Sequence, residues 1–171
     1  MAERAGSERG FRLPPGRAGA QALAVAMLVA ACAGSPRGEP GVRAGGLAPC
    51  PASPNCVSSQ ARDASHRVAS IRLRGTAGTA ADFDAAWHGV VRSLRALPRS
   101  RVVAERDDYL HVEVTSALMR YVDDLEVWRR SPGIVEVRSA SRIGYSDMGV
   151  NRGRVEALRA ALVGQGLAEP G

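Results

Sequence analysis

The densest run of hydrogen-bonding side chains lies between Arg138 and Arg154, where the sequence reads RSASRIGYSDMGVNRGR. This run, which we call the polar junction, contains four arginines, three serines, one aspartate and one asparagine. Guanidinium groups bind anions such as carboxylates and phosphates, and a serine hydroxyl becomes a nucleophile only beside a base. The polar junction therefore predicts an anion-binding site or, with a base nearby, a hydrolytic one.

A strand is predicted to lead into the polar junction and a helix to leave it. Gly144 breaks the strand, and Asn151 is a favoured N-cap residue for the helix. Arg152 then falls in the first helical turn, where positive charge opposes the helix dipole. Two interpretations remain open: Arg152 folds back onto a carboxylate and locks the junction, or it helps the helix N-terminus to hold an anionic ligand. The carboxylates considered for the lock are Asp124, Asp147 and Glu156.

The hairpin that precedes the polar junction carries a second group of charges. If its turn is the three residues 131–133, the strands pair so that Glu126 faces Arg138. Asp124 then has Arg138 and Arg142 on its diagonals, and opposite charges at such positions stabilise a sheet by roughly 0.2–1 kcal/mol per pair. The sequence therefore predicts one charged cluster of Asp124, Glu126, Arg138 and Arg142 on a single face of the sheet.

Asp123 is predicted to point to the other face, among Tyr121, Leu125 and Val127 and opposite Ser141. A carboxylate on an apolar face must find hydrogen-bond donors, or its pKa rises. The sequence leaves open whether serines bind Asp123 as a structural group or Asp123 is a functional acid. Because Asp123 and Asp124 point to opposite faces, they cannot easily share an ion, and neither a metal site nor a cofactor is predicted.

A hydrolytic site would use Ser139 or Ser141 as the nucleophile with an aspartate as partner. The candidate aspartates are Asp123, Asp124 and Asp147. A serine nucleophile requires an adjacent base, but the three histidines all lie outside the polar junction in sequence, and the motif GxSxG is absent. We therefore assign no catalytic residue and favour a non-catalytic binding or structural module, with hydrolysis as the alternative.

The elements that position these residues are indicated by clear periodicities. Apolar residues at helical spacing between residues 83 and 97 form one face of a helix, and Thr79 with Asp82 is a capping signal. The predicted strands are residues 68–74, 101–106, 109–117, 121–129 and 134–141. Val155, Leu158 and Leu162 mark a closing helix. The order β-α-β-β-β-β-α predicts an α+β domain, an antiparallel meander with both helices packed on one face.

The N-terminus resembles a bacterial export signal. Four arginines precede an uncharged run over residues 18–31, which is shorter than the about 20 residues of a membrane-spanning helix. The run ends in Val-Ala-Ala-Cys, which resembles a lipobox and implies that Cys32 is lipidated and becomes the new N-terminus; a plain signal peptide with an incidental Cys32 is the alternative. Ala33 is not the aspartate that favours inner-membrane retention, so the expected location is the outer membrane, facing the periplasm.

The other two cysteines are predicted to form a disulfide. Three cysteines in an exported chain leave one unpaired, and lipidation of Cys32 would leave Cys50 and Cys56 as a pair. No second pair of cysteines or histidines lies nearby at the spacing of a zinc site. The domains expected are therefore a signal peptide at 1–31, a flexible tether at 32–47, one domain at 48–166 and a disordered tail at 167–171.

Composition argues against nucleic acid as a partner. The chain has 171 residues and a net charge of +6, and all 23 of its basic residues are arginine. These arginines are scattered and do not form a stripe along one helix, so the electrostatic footprint of a nucleic-acid-binding protein is missing. Arginine in place of every lysine points to a coding bias, which weakens each arginine as evidence for anion binding.

Three blocks of the chain, CPASPNCVSSQ, YVDDLEVW and VRSASRIGYSDMGVNRGRVEALR, resemble the family catalogued as domain of unknown function 1499. The resemblance runs from about Cys50 to Leu162 and implies a family of bacteria and plant plastids that often carries export signals. No activity is assigned to the family. The resemblance therefore indicates which positions match the family pattern but does not indicate a function for them. The matching positions are Cys50, Pro54, Asn55, Cys56, Ser58, Ser116, Asp123, Asp124, Glu126, Arg138, Ser139, Ser141, Arg142, Gly144, Asp147, Gly149, Asn151, Arg152 and Glu156.

Together these observations predict a lipid-anchored protein of the cell envelope with a polar binding site. The expected partners are the membrane, through the anchor, and an anionic small molecule or envelope component. The oligomeric state is left open. The residues of the candidate site are Asp123, Asp124, Glu126, Arg138, Ser139, Ser141, Arg142, Asp147, Asn151 and Arg152.

Overall fold

The computed structural model describes residues 39–75 and 77–171. The predicted signal peptide, the lipidated Cys32 and most of the predicted tether lie outside the described residues. Within the described part of the chain, no helix is both long and apolar enough to cross a membrane.

The predicted apolar stripe lies on helix α1 (Ala80–Arg95). Thr79 and Asp82 form a capping box, in which each side chain binds the backbone N–H of the other residue. Trp87, Val90 and Leu94 are buried on one face because they recur at helical spacing. The closing helix α2 (Val150–Gly164) buries Val155, Leu158 and Leu162, as the sequence predicted.

Eight strands occur among the described residues. They are β1 (Val42–Arg43), β2 (Gly46–Leu47), β3 (Cys56–Ser58), β4 (Ile71–Arg72), β5 (Ser100–Arg106), β6 (Tyr109–Thr115), β7 (Val122–Ser131) and β8 (Ile134–Ser141). The sheet is antiparallel in the order β3-β8-β7-β6-β5, β4 pairs with β8 as well, and β1 and β2 form a separate hairpin. Strands β5 to β8 make the predicted meander, which confirms the α+β fold.

Both helices pack against one face of this sheet around a single core. The fully or almost fully buried apolar residues of that core come from β3, β4, both helices and the strands β6, β7 and β8. On the other face, the β1–β2 hairpin places Leu47 against Tyr109 and Trp128 in a small second cluster. The sheet is therefore covered on both faces, by the helices on one and partly by the hairpin on the other.

The register between β7 and β8 agrees with the prediction. Asp123 lies opposite Ser141, and Glu126 lies opposite Arg138. The predicted three-residue turn was wrong, because Ser131 itself pairs with Ile134 and only two residues connect the strands. The register shifts by one residue between Arg129 and Ser131. The pairing of the polar residues farther along the hairpin is therefore the one that the three-residue turn predicted.

Several predicted boundaries require correction. The strand predicted at residues 68–74 is only Ile71–Arg72, which is β4, and Leu73 makes a single bridge to Ala168. The tail predicted at 167–171 is therefore part of the domain, with Ala168 fully buried. The tether was expected to reach residue 47, but the N–H of Gly41 binds Glu126 at 2.6 Å and the chain from there to residue 47 lies on the sheet.

The predicted disulfide is present. Cys50 and Cys56 are bonded, with their Cα atoms 5.6 Å apart, and Cys56 is the first residue of β3. The bond closes a loop over residues 50–56 directly before this strand, so it fixes the chain that enters the sheet beside β8. Strand β3 itself was not predicted.

Candidate functional site

The pairing of β6, β7 and β8 separates the polar residues of the predicted site into two sets. Successive residues of a strand point to opposite faces, so Asp123 and Asp124 diverge. We call the side packed by α1 and α2 the helix face and the side covered by the β1–β2 hairpin the hairpin face. Asp123, Ser139 and Ser141 belong to the helix face. Asp124, Glu126 and Arg138 belong to the hairpin face, together with His111 and Glu113 of β6.

The centre of the hairpin face is a buried ion pair. Arg138 Nη1 donates to Glu126 Oε2 at 2.8 Å, and both side chains are at most 3% exposed. Glu126 Oε1 accepts two further hydrogen bonds, from Tyr109 Oη at 2.8 Å and from the N–H of Gly41 at 2.6 Å. Burial, followed by the neighbouring Glu126 carboxylate, raises the pKa of Tyr109 well above its ordinary value, which keeps this phenol a hydrogen-bond donor.

A second charged group lies beside this pair. Arg142 donates to Asp124 through Nε at 3.0 Å and Nη2 at 2.7 Å, and it also reaches Glu113 at 2.6 Å. His111 Nε2 is 2.7 Å from Asp124 Oδ1. The predicted cluster of Asp124, Glu126, Arg138 and Arg142 on one face is therefore confirmed, and the sequence missed its additional members from β6.

Asp124 is held in its ionised form. Its burial would raise its pKa, but the hydrogen bonds from His111 and Arg142 outweigh burial and lower the pKa to about 2. The pKa of Glu113 is also lowered, since its contacts with Arg142 and Arg101 outweigh desolvation, which acts in the opposite direction. The hydrogen bond to Asp124 is the largest of the effects that raise the pKa of Arg142.

The helix face holds a second buried network. Arg154 Nη2 donates to Asp123 Oδ2 at 2.6 Å, and Arg154 Nη1 donates to Ser139 Oγ at 2.9 Å and to Asn151 Oδ1. Ser139 Oγ donates to the same Asn151 oxygen at 2.6 Å. Of the two interpretations left open for Asp123, the structural one named serines as donors, whereas the donor here is an arginine that α2 brings over the end of the sheet. Ser141 lies beside Asp123 across the hairpin, and its Oγ accepts from Asn151 Nδ2 at 3.0 Å.

Asn151 and Asn55 connect this network to the disulfide-bonded segment. Asn151 Nδ2 donates to the carbonyl oxygen of Asn55 at 3.0 Å, and Asn55 Nδ2 donates to the carbonyl oxygen of Gly144 at 2.6 Å. Both asparagines are fully buried. Since buried amides must be paired, the two side chains fix the chain after β8 against the chain before β3. The sequence identified Asn55 only through its family resemblance.

The start of α2 differs from the prediction. The N-cap is Gly149, whose φ of +82° suits glycine, and Asn151 lies inside the helix with its side chain turned into the network. The side chain of Asp147 accepts from the N–H of Gly149 at 3.1 Å and of Asn151 at 2.7 Å. Asp147 therefore supplies the negative charge that a helix N-terminus prefers.

Arg152 does not bind any of the three carboxylates considered for the lock. Its guanidinium donates to the carbonyl oxygens of Arg67 and Ser65, each at 2.7 Å, and so joins α2 to the loop between β3 and β4. Arg152 and Arg154 are thus both engaged by protein acceptors. This arrangement weighs against an anionic ligand at the helix start.

The geometry also separates the groups that a hydrolytic site would need. Ser139 is fully buried on the helix face, whereas the His111–Asp124 pair lies on the hairpin face. The sheet therefore stands between the candidate nucleophiles and this histidine. In the described part of the chain, no group of three or more His, Cys, Asp or Glu side chains is arranged to bind a metal ion.

An open cleft of about 290 Å³ lies where the strands β6, β7 and β8 meet the two loops at their ends. It is lined by Ser116, Tyr121, Asp123, Ser141, Ile143, Gly144, Ser146, Asp147 and Val150. The hydroxyl oxygens of Ser116 and Ser146 accept hydrogen bonds from the backbone of their own loops, at 2.9 and 3.2 Å. Each of these hydroxyls keeps its own hydrogen to donate. The lining thus combines hydroxyl donors, two carboxylates and apolar side chains, and includes no arginine.

We expect stability to fall in acid through Asp124. Its folded pKa of about 2 lies below the unfolded value of 3.8, so the stabilisation is complete above about pH 4 and is lost as the pH falls towards 2. Asp124→Asn should destabilise the protein at pH 7 by about 1–2 kcal/mol, and this difference should shrink in acid. Urea unfolding of the wild-type protein and of Asp124→Asn from pH 7 to pH 2 measures this difference in the free energy of unfolding. Asp107→Asn, in the exposed β5–β6 turn, is the control, and an Asp124→Asn deficit that stays constant with pH would contradict the prediction.

The two arginines at the start of α2 should differ in their effect on stability. Arg154→Leu leaves Asp123 buried without its cation, and breaking a buried pair costs about 3 kcal/mol or more. Arg152→Leu removes hydrogen bonds to two carbonyl groups near the surface, which costs about 1 kcal/mol. Chemical denaturation of both variants at pH 7 compares them directly. Equal losses would show that the Arg154–Asp123 contact is no more important than the surface contact.

Comparison with known proteins gives a family and nothing further. Neither a curated protein nor a solved structure matches the chain. A family model described as "Protein of unknown function (DUF1499)" matches residues 46–162. The matched region begins within the β1–β2 hairpin and ends within α2, so it contains the side chains of both buried networks and the cleft, whereas the N–H of Gly41 that binds Glu126 lies before it. The chain therefore belongs to the DUF1499 family.

Proposed function

We propose that this chain is a lipid-anchored protein of the cell envelope whose domain is a non-catalytic binding module. The observation that carries the binding role is the cleft of about 290 Å³, whose walls are held by buried networks. Asp123 is fixed by Arg154, Ser141 by Asn151, and Asp147 by the start of α2. A site with polar groups in fixed positions and no assembled nucleophile is suited to binding rather than to catalysis.

The lining of the cleft indicates the class of ligand. Ser116 and Ser146 offer hydroxyl donors, Asp147 offers carboxylate oxygens, and Tyr121 and Ile143 offer apolar surface. An anionic ligand would meet carboxylates and no lining arginine, so the cleft suits an uncharged ligand better than the anion suggested by the sequence. The ligand that fits is small and neutral, with hydroxyl or amide groups on one side and an apolar face on the other, as in an amide-bearing sugar.

The lipid anchor is supported by the sequence over residues 18–32 and by the beginning of the domain. The described chain lies on the sheet from Gly41 onwards, so few residues separate Cys32 from the folded domain. A disulfide between Cys50 and Cys56 is typical of an oxidising compartment. The outer membrane, facing the periplasm, is the proposed location.

Cys32→Ser should abolish lipidation. The modification requires the thiol, so the variant should incorporate no labelled palmitate and should accumulate as an unprocessed precursor, whereas wild type is labelled and processed. The control is Ala33→Ser, which keeps the cysteine and should be labelled as wild type is. Metabolic labelling followed by separation of precursor and mature chains measures both effects. Palmitate incorporation that persists in Cys32→Ser would rule out this anchor.

N-acetylglucosamine is a suitable probe for the cleft, because it carries hydroxyls, an amide and an apolar ring face. A ligand at 100 times its Kd stabilises a folded protein by about 2.7 kcal/mol, so the sugar should raise the melting temperature of wild type. Tyr121→Ala removes an apolar wall of the cleft and should abolish that rise. Leu118→Ala, on the same loop but outside the lining, should keep it. A melting temperature that the sugar does not change, or changes equally in both variants, would contradict this ligand class.

A further inference from the structure

The end of the sheet that carries the cleft also carries most of the exposed apolar side chains of the described chain. Seven large apolar residues lie exposed on the loop at 116–121, on the loop after β8 and at the first residue of α2. They are Leu118, Met119, Tyr121, Ile143, Tyr145, Met148 and Val150, which we call the apolar rim. Met148 is 96% exposed and Leu118 is 88% exposed. Surfaces in water rarely group so many apolar side chains, and such groups mark interaction sites.

The backbone holds two residues of these loops in an unfavourable conformation. Arg120 and Met148 both have a φ of +54°, in the left-handed region that side chains other than glycine and asparagine avoid. Met148 gains almost no contact within the protein in return, since its side chain is nearly fully exposed. The hydrogen bonds from the N–H of Met148 to Ser146 and from the N–H of Tyr121 to Ser116 hold these turns, but they do not involve the exposed side chains, which are presented to something outside the domain.

The chain enters the domain at this same end. Glu39 and Pro40 line a cavity of about 180 Å³ with Ser141 and Arg142, the residues at which β8 passes into the loop of the apolar rim. Cys32 precedes Glu39 by seven residues in the sequence, a length of chain that spans at most about 25 Å. A lipid on Cys32 therefore places the bilayer near the end of the sheet that bears the apolar rim.

Positive charge lies beside the apolar residues. Arg120 is exposed between Met119 and Tyr121, and Arg99 binds the carbonyl oxygen of Thr115 where β6 ends. Within the described residues, neither arginine forms an ion pair with a carboxylate. Apolar side chains flanked by unneutralised arginines favour the interface of a bilayer that contains anionic lipids.

We propose that the apolar rim is a membrane-docking surface that inserts into the anionic phospholipid leaflet holding the lipid anchor. This inference rests on the proposed lipid anchor. A lipid on Cys32 holds the chain at the bilayer but leaves the orientation of the domain open, and a second contact through apolar side chains fixes that orientation. In this orientation the cleft opens at the level of the lipid headgroups, because Tyr121, Ile143 and Val150 belong both to the apolar rim and to the cleft lining.

The test uses the full chain expressed with its own signal, purified in detergent and reconstituted into vesicles of phosphatidylethanolamine and phosphatidylglycerol with brominated acyl chains. Met148→Trp places a fluorophore in the apolar rim. Val103→Trp is the matched control, because Val103 is exposed on β5 outside these loops. Trp87 and Trp128 are buried and common to both proteins, so the fluorescence of wild type is subtracted. Flotation of the vesicles measures anchoring separately.

The expected result is that brominated lipid quenches the tryptophan at position 148 and leaves the one at position 103 unchanged. Equal quenching at the two positions in protein that floats would overturn the docking surface while leaving the anchor intact. Protein that does not float would overturn the anchor and the docking surface together. A tryptophan at position 148 that is shielded from acrylamide but not quenched by lipid would assign the apolar rim to a protein partner. Quenching that persists unchanged in phosphatidylcholine vesicles would overturn the assignment of an anionic bilayer.

Discussion

The arrangement of this domain depends on the burial of Glu126 and Arg138 opposite one another in the centre of the sheet. Neither group can be left in an apolar interior alone, since an unpaired buried charge costs several kcal/mol. The pairing therefore holds β7 and β8 in one register, and a slip by one residue would move every polar side chain to the wrong face. The carboxylate of Glu126 also needs its hydrogen bonds from Tyr109 and from the N–H of Gly41. The N–H of Gly41, which precedes β1, is thus needed to pair the buried carboxylate of Glu126. This explains why the domain begins before residue 48, where the composition placed its start.

The same register gives two adjacent aspartates separate arginines. Asp124 receives Arg142 from the loop that follows β8, whereas Asp123 receives Arg154 from the second turn of α2. Two consecutive strand residues thus take part in two networks on opposite faces of the sheet. Each network holds the loop that follows β8, one from the hairpin face and the other from the helix face. The pairing of β6 with β7 then adds His111 and Glu113 to the hairpin face, so three strands contribute charges to it. The loops at this end of the sheet are therefore attached to a rigid support.

The features that depend on local sequence pattern could be predicted, whereas contacts between residues that are distant in the chain could not. The face of α1 and the register of β7 with β8 follow from spacing, and both are present. The partner of Asp123 does not follow from spacing, because the direction in which a helix leaves the sheet decides whether Arg152 or Arg154 reaches the carboxylate. Asn151 was predicted as an N-cap on its residue type alone, yet Asp147 already binds its N–H. Residues 56–58 lack the length of a recognisable strand and become one only through pairing with β8.

The contrast between the interior and the loops bears on function. Within the described residues, the buried polar side-chain atoms have hydrogen-bond partners, except for the Nε of Arg138. The choice of buried polar residues can therefore be explained by the stability of the fold. The loops are not explained in that way. Met148 and Arg120 adopt a backbone conformation that costs of order 1–3 kcal/mol each, and Met148 exposes its whole side chain. Stability alone would favour glycine at both positions and polar side chains around them. The buried networks hold these loops in place, so a contact outside the domain, such as the proposed membrane-docking surface, is what would account for their exposed apolar side chains.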